Sequence, residues 1–273
     1  MSAARSATRF GRKLATAGAV ILLAATMAGC ASKSSMTTGS VNRSFGKSFD
    51  RMSTGELESA ADKLGRDYAK SPNDKATAMA YSNVLQMNGR TDQSLAVMRK
   101  LAIAYPKDRE VLAAYGKSLA AIGQFEQALD AIRRAQTPEY PDWKLLSAEA
   151  AILDQLGQSA NARQLYRKAL DLKPDEPTIL SNLGMSYLLE GDLKTAEMHM
   201  RTAAQRPGAD SRVRQNLALV VGLQGRFDEA EQIARQELSP DQAQANVAYL
   251  RSMLAQQNAW NELKDEKEKR NTN

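Results

Sequence analysis

The chain has 273 residues, 43% of them hydrophobic and 25% charged, a balance that excludes disorder of the whole chain and suits one or two packed domains. Only 5% are aromatic, while Ala, Leu, Gln, Lys and Glu recur throughout, so the fold class expected is all-α. The net charge of +6 is concentrated at the N-terminus, and the remainder, 33 basic against 31 acidic residues, gives no reason to expect a nucleic-acid partner.

Residues 1–29 hold Arg5, Arg9, Arg12 and Lys13 and no acid. An uncharged stretch from Leu14 to Gly29 follows, with its apolar centre AVILLAA at Ala19 to Ala25 and small residues at its end. This order of cations, apolar centre and small residues is that of an export signal. The apolar part falls short of the roughly 20 residues that span hydrocarbon. Cys30, the single cysteine, stands directly after Met27-Ala28-Gly29 and cannot form an internal disulfide. The segment resembles the lipobox of bacterial lipoproteins. That resemblance implies cleavage before Cys30, diacylation of its sulfur and acylation of its amine, an anchor of several chains where one is marginal. With Ala31 and Ser32 next and no aspartate beside the cysteine, it also implies retention at the periplasmic face of the outer membrane.

Residues 30–54 are rich in Ser, Thr, Gly and Lys and carry too few apolar side chains for a fixed fold; they are expected to form a flexible tether. From there Gly55, Gly89, Gly123, Gly157, Gly191 and Gly225 recur at intervals of 34 residues, the mark of a repeat protein. With repeats starting at Lys75, Arg109, Trp143, Pro177 and Ser211, the eighth position reads Ser82, Gly116, Ala150, Gly184 and Ala218. The twentieth reads Ser94, Ala128, Ala162, Ala196 and Ala230. Small residues in both columns are what two closely crossing helices need. Apolar residues between them follow helical spacing, as in Leu112, Tyr115, Leu119 and Ile122, and the glycines suit left-handed turns between helices.

These columns, with Pro106 and Pro174 between repeats, resemble the tetratricopeptide repeat (TPR) family, although the family's tryptophan is absent and Leu101 stands where alanine is usual. The resemblance implies a TPR solenoid, a right-handed superhelix of antiparallel helix pairs. The TPR domain is expected over 55–257, with a degenerate half-repeat, five repeats over 75–244 and a C-terminal capping helix over 241–257, opened by Ser239-Pro240-Asp241-Gln242. Residues 258–273 read as a polar tail. Pro138 and Pro141 are expected to distort the junction between the second and third repeats.

His199 is the only histidine, so neither a His/Cys metal set nor a Ser-His-Asp arrangement can be assembled, and no glycine-rich phosphate loop occurs. The expectation is a non-enzyme with no cofactor, no metal and no small-molecule substrate. The family resemblance implies a protein-binding groove lined by the second, fifth, ninth, twelfth and thirteenth residues of each repeat. Carried over, these give Met79, Asn83, Gln86 and Met87, then Lys117, then Lys144 and Asp154. They continue with Ser181, Met185, Leu188 and Leu189, then Arg212, Gln215, Leu219 and Leu223. The apolar end suits a hydrophobic or amphipathic segment; the alternative is that the chain's own C-terminal helix fills it. Met79 and Ala114 stand where a chaperone-type carboxylate clamp would need Lys and Asn.

Leader, tether, repeat register and the tail from Met253 to Trp260 together resemble the tight-adherence (Flp) pilus assembly lipoproteins of the TadD type. That resemblance implies a scaffold for assembly or localisation of the Tad secretion machinery, with the secretin or other pilus subunits as partners. A subunit of β-barrel assembly machinery, and an adaptor recruiting peptidoglycan hydrolases or proteases, share the same architecture.

Overall fold

The structure is a computed structural model that describes Phe49, residues 52–137 and residues 139–271, with side chains described as far as residue 257. The leader, Cys30 and the tether as far as residue 48 lie outside the described residues. Among those described, twelve helices follow one another: α1 (Thr54–Lys70), α2 (Lys75–Met87), α3 (Thr91–Ala104), α4 (Arg109–Ala121), α5 (Phe125–Ala135), α6 (Trp143–Gln155), α7 (Ser159–Leu172), α8 (Pro177–Leu189), α9 (Leu193–Ala204), α10 (Ser211–Leu223), α11 (Phe227–Ala234) and α12 (Pro240–Asn271). They form two compact units, divided between Ala135 and Gln136.

Local chemistry fixes where each helix starts and stops. Asp74, Asp108, Asp142 and Asp210 cap α2, α4, α6 and α10, each accepting a first-turn N–H on its side chain. Such caps contribute about 1 kcal/mol apiece. Gly89, Gly123, Gly157, Gly191 and Gly225 take φ between 71° and 83°, and the residue after each returns a bond from its N–H to the helix, as Gln124 N does to Leu119 O at 3.0 Å. This is the closure that a left-handed glycine permits. Gly55, the first member of the 34-residue series, differs. It lies within the first turn of α1 and not at the end of a helix.

In the first unit each helix from α1 to α5 packs on the next, and α2 also lies beside α4. In the second unit α6 to α12 do the same, with α6, α8, α10 and α12 side by side. The small columns are explained by distance. A Cβ added to Gly116 would stand 2.8 Å from Ile132 Cγ1, and one added to Gly184 would stand 2.8 Å from Met200 Cγ and 3.0 Å from Ala196 O. Ile132 and Met200 are wholly buried, so neither can swing aside cheaply.

Two boundaries differ from the sequence reading, at Phe49 and in the C-terminal helix, while the junction expected to be distorted is longer than the others. Phe49, placed there in the tether, is buried against Leu57, Ala60, Ala61 and Leu64 of α1 and Ala80 and Val84 of α2; the burial of an aromatic ring gives the last tether residues a fixed place. The connection from Gln136 to Asp142 is seven residues long, against four at Ser71–Asp74, Tyr105–Asp108 and Lys173–Glu176, with a lone antiparallel bridge between Thr137 and Tyr140. At the C-terminus the helix does not stop at 257 but continues to Asn271.

Candidate protein-binding groove

Within each unit, neighbouring first helices lie side by side. Within the second unit the registration is held by hydrogen bonds. Asn182 Nδ2 of α8 donates to Ser147 Oγ of α6 at 3.3 Å, and Asn216 Nδ2 of α10 donates to Ser181 Oγ of α8 at 3.1 Å. Ser186 Oγ donates to Asp154 Oδ1 at 2.8 Å. Each bond crosses between adjacent first helices, so the repeated columns lie in rows. In the first unit Gln86 Nε2 donates to Ser118 Oγ at 3.0 Å, and Lys75 Nζ bridges Asp108 and Glu110 at 2.7 and 2.8 Å.

Burial separates the expected lining residues into two sets. In the first unit Asn83 is exposed and Gln86, Met87 and Lys117 are half-buried. In the second, Lys144, Met185, Leu189, Arg212, Gln215, Leu219 and Leu223 are half-buried and reachable. Met79, Asp154, Ser181 and Leu188 are corrected: all four are buried. Met79 packs with Leu85, Met98 and Leu101, and Leu188 with Met200, Leu217 and Val221. In these repeats the fifth or twelfth side chain turns into the seam between helices, whereas Gln86 at the twelfth and Gln215 at the fifth stay half-buried, so the four buried side chains hold the rows together rather than meet a ligand.

Asp154 is the centre of a buried polar cluster that sequence reading placed in the groove. Its carboxylate is bonded by the hydroxyls of Ser186, Ser159 and Tyr166. Burial, which disfavours the charged form, raises its pKa above the ordinary carboxylate value despite those bonds. Burial likewise raises the Tyr166 phenol well above its usual value. The cluster joins α6, α7 and α8, and every member has a partner.

A second polar cluster went unnoticed in the sequence. Glu197 of α9 receives Arg226 from the start of α11 through two bonds of 2.8 and 2.9 Å, Arg201 Nη2 at 2.6 Å and Gln224 Nε2 at 2.7 Å. Glu229 accepts from both arginines. The signal was present as acids and bases at helix spacing, but which of them meet across 29 residues depends on the fold. His199 lies on α9 with its ring stacked on Tyr187 at 5.4 Å between centroids; burial foremost, then Arg167, lowers its pKa.

Among the described residues no three His, Cys, Asp or Glu side chains gather as a metal-ligand set, and no helix is long and apolar enough to cross a membrane. A cleft of about 320 Å³ lies at the start of α11, lined by Gly225 to Glu229 and Arg251. Its Arg226 is committed to Glu197 and Glu229, and Arg251 lies 4.6 Å over the Phe227 ring.

The fold and its rows of exposed side chains define an all-helical repeat protein of stacked helix pairs. Three family models identify its repeats as tetratricopeptide repeats: one described as TPR repeat over residues 152–191, and two described as tetratricopeptide repeat over 82–142 and 212–236. No curated protein matches the chain. Among solved structures, a thermophilic TPR protein of Thermus thermophilus is similar with 22% identity and a TM-score of 0.53, over 61% of this chain and 91% of that one. A chain of the APC/C hetero-tetramer Cut9-Hcn1 is similar with 17% identity and a TM-score of 0.58, over 81% of this chain and 42% of that one. The Pseudomonas aeruginosa protein pilF aligns with 20% identity and a TM-score of 0.49, over 70% of this chain and 90% of that one. The first two of these likenesses establish the fold. Tetratricopeptide domains mediate protein–protein interactions, and a scaffold for such contacts is the role this fold supports.

Proposed function

We propose that the protein is a non-enzymatic, lipid-anchored scaffold that holds a segment of a client protein during assembly or localisation of the Flp/Tad pilus machinery, with the secretin as client. The observation that carries the binding role is the set of half-buried apolar side chains Met185, Leu189, Leu219 and Leu223 on α8 and α10, which lie side by side in the second unit. Such side chains stabilise an apolar segment by roughly 25 cal/mol per Å² of surface removed from water, and methionine adapts to irregular partners.

The anchor and the pathway rest on the sequence. Cys30 supplies the lipid attachment at the periplasmic face of the outer membrane. The 19 residue steps from Cys30 to Phe49 set a greatest reach of about 65 Å for the tether, measured to the point where Phe49 is fixed in the first unit.

The test is in-cell crosslinking and purification of the lipidated protein. Recovery of a secretin is expected, and recovery of a barrel-assembly subunit or a cell-wall hydrolase without secretin would reject the pilus reading. Cys30→Ser is expected to release the protein from membranes, and continued sedimentation with them through its N-terminus refutes the anchor. Leu189→Glu with Leu223→Glu is expected to abolish client capture in a folded protein.

A further inference from the structure

The first unit carries one exposed apolar side chain that packing does not explain. Ile103, in the last turn of α3, is 77% exposed, the most open large apolar side chain among the described residues. Cations surround it. Arg99 and Lys100 precede it by four and three residues, which puts them beside it on the helix surface, and Lys107 follows in the connection to α4; all three are exposed. From Gln93 to Lys107 the chain has three cations and no acid. None of Arg99, Lys100 and Lys107 forms an ion pair among the described residues.

The surroundings stay cationic after every acid is counted. Tyr105 Oη donates to Asn73 O at 2.9 Å and Arg134 Nη2 donates to Pro106 O at 3.1 Å, so the C-terminal ends of α1, α3 and α5 lie along one edge. Over residues 62–75, 99–110 and 130–135, which form that edge, ten cations stand against six acids. Five of the six acids are engaged. Asp108 and Glu110 hold Lys75 at 2.7 and 2.8 Å, Asp67 pairs with Lys70 at 3.8 Å, Asp130 pairs with Arg134 at 3.4 Å, and Asp74 accepts the Thr77 N–H at 2.9 Å. The sixth, Asp62, stands two turns back from the end of α1. Asp92 and Glu126 lie in the first turns of α3 and α5, and the eight residues from Asp92 to Lys100 span about 12 Å of helix. The helix dipole accounts for Arg133 and Arg134 in the last turn of α5. It gives no reason for an isoleucine in water.

We propose that this edge of the first unit rests on a membrane surface containing anionic phospholipid, with Ile103 entering the headgroup layer and Arg99, Lys100 and Lys107 meeting phosphates. The phosphates of a nucleic acid would match the cations alone, whereas a bilayer offers both the charge and an apolar layer behind it. The course of the chain favours the same occupant. It enters this unit at Phe49, 19 residue steps from Cys30, so the lipid attachment proposed above holds the unit within about 65 Å of a bilayer. Three cations bind weakly by themselves, and a tether makes contacts of that strength sufficient. The proposal rests on that attachment and adds the surface that meets the lipid.

The test uses the whole chain as isolated from membranes, with Ala104→Cys carrying the environment-sensitive dye NBD. The vesicles are phosphatidylcholine alone, or equal parts phosphatidylcholine and phosphatidylglycerol. The unsubstituted chain, with its one cysteine acylated, should take no dye. Flotation with neutral vesicles reports the attachment, and the dye reports the surface. On anionic vesicles the emission should shift to the blue and be quenched by spin-labelled lipid; on neutral vesicles it should do neither. Arg99→Glu with Lys100→Glu should lower the ratio of docked to free dye at least fivefold, since each cation near an anionic surface is worth about that factor. Ile103→Ser should lower it similarly, and about 0.5 M salt should do the same as the charge reversal. The replaced side chains are exposed, so folding is retained, which circular dichroism checks. Equal response on both vesicles, no response on anionic ones, or full response by Ile103→Ser overturns the proposal. So does a shift produced by polyglutamate, or by rising chain concentration without vesicles, since the edge then belongs to an acidic protein or a second copy. A chain that floats with neutral vesicles while the dye stays silent on anionic ones rejects this surface and keeps the attachment. Failure to float with neutral vesicles rejects the attachment, whatever the dye reports.

Discussion

Glu197 gives a pH-resolved test of how α9 is tied to the turn between α10 and α11. Its hydrogen bonds to Arg226, before any other cause, lower its pKa from 4.5 to about 2. A depression of that size converts to about 3 kcal/mol at 1.36 kcal/mol per pH unit. The Arg201 and Arg226 side chains are each 40% exposed while that of Glu197 is 13% exposed, and solvent screening brings the expected contribution down to about 1 kcal/mol. The folded pKa lies below the unfolded one, so the stabilisation is complete above pH about 4.5 and is lost as the pH falls toward about 2. Glu197→Gln should therefore lower the urea-derived stability by about 1 kcal/mol at pH 7. The difference from the unmodified chain should close as the pH is lowered through that window. Molar salt should shrink it at neutral pH. A difference that stays constant from pH 7 to pH 2, or that is absent at pH 7, would refute the reasoning.

Asp154 should behave in the opposite sense. Its folded pKa is raised, so its favourable contribution belongs to the protonated form, is present at low pH and fades as the pH rises through the folded value; Asp154→Asn should thus compare better with the unmodified chain at pH 7 than at pH 3.5, and urea titrations giving the reverse order would contradict the burial argument. Gly184→Val should destabilise the second unit by about 2 kcal/mol or more through overpacking, read as a lower midpoint in thermal unfolding, whereas an unchanged midpoint would mean that Met200 yields freely. Phe49→Ala should cost the first unit about 3 kcal/mol, as for other buried aromatic truncations, and hydrogen exchange should quicken across α1; unchanged exchange over residues 54–70 would show that Phe49 is not what secures that helix.

Much of the fold was legible because the 34-residue period constrains every level at once. Lys75, Arg109, Trp143, Pro177 and Ser211, taken as repeat starts from sequence, are the first residues of α2, α4, α6, α8 and α10. The small columns are small because a Cβ at Gly116 or Gly184 has nowhere to go. Less visible was what a repeat register cannot say. It gives Leu188 the same standing as Gln86, and Met79 the same as Gln215, yet the packing of each repeat buries the first of each pair and leaves the second half-buried. Phe49 lies before the first periodic glycine, in a segment whose composition reads as solvated, and only its contact with α1 and α2 reveals it. The Glu197 cluster joins residues 29 apart through side chains whose pairing is decided by packing.

The two ends of the described stack are closed by different devices, and both follow from the arithmetic of half-repeats. Each helix pair buries its apolar face only against neighbours, so the last element on either side must stop the pattern. At the start of the described residues, α1 occupies the place of a second helix: Ala60 falls in the small column, and Phe49 is buried in one cluster with α1 and α2. At the other end, α12 is a first helix without its second. In α8 Gly184 meets Met200 and Ala196 of α9 and Tyr187 stacks on its His199; in α12 Ala243, Val247 and Leu250 are buried, while Ala248, Arg251, Ser252 and Ala255 are all exposed. Replacing large apolar side chains with alanine, serine and arginine removes the reason for another helix to dock there. On the neighbouring stripe of the same helix, Tyr249 and Met253 remain apolar. α12 thus stops the stack by burying one narrow stripe and presenting small or charged side chains where a further second helix would dock.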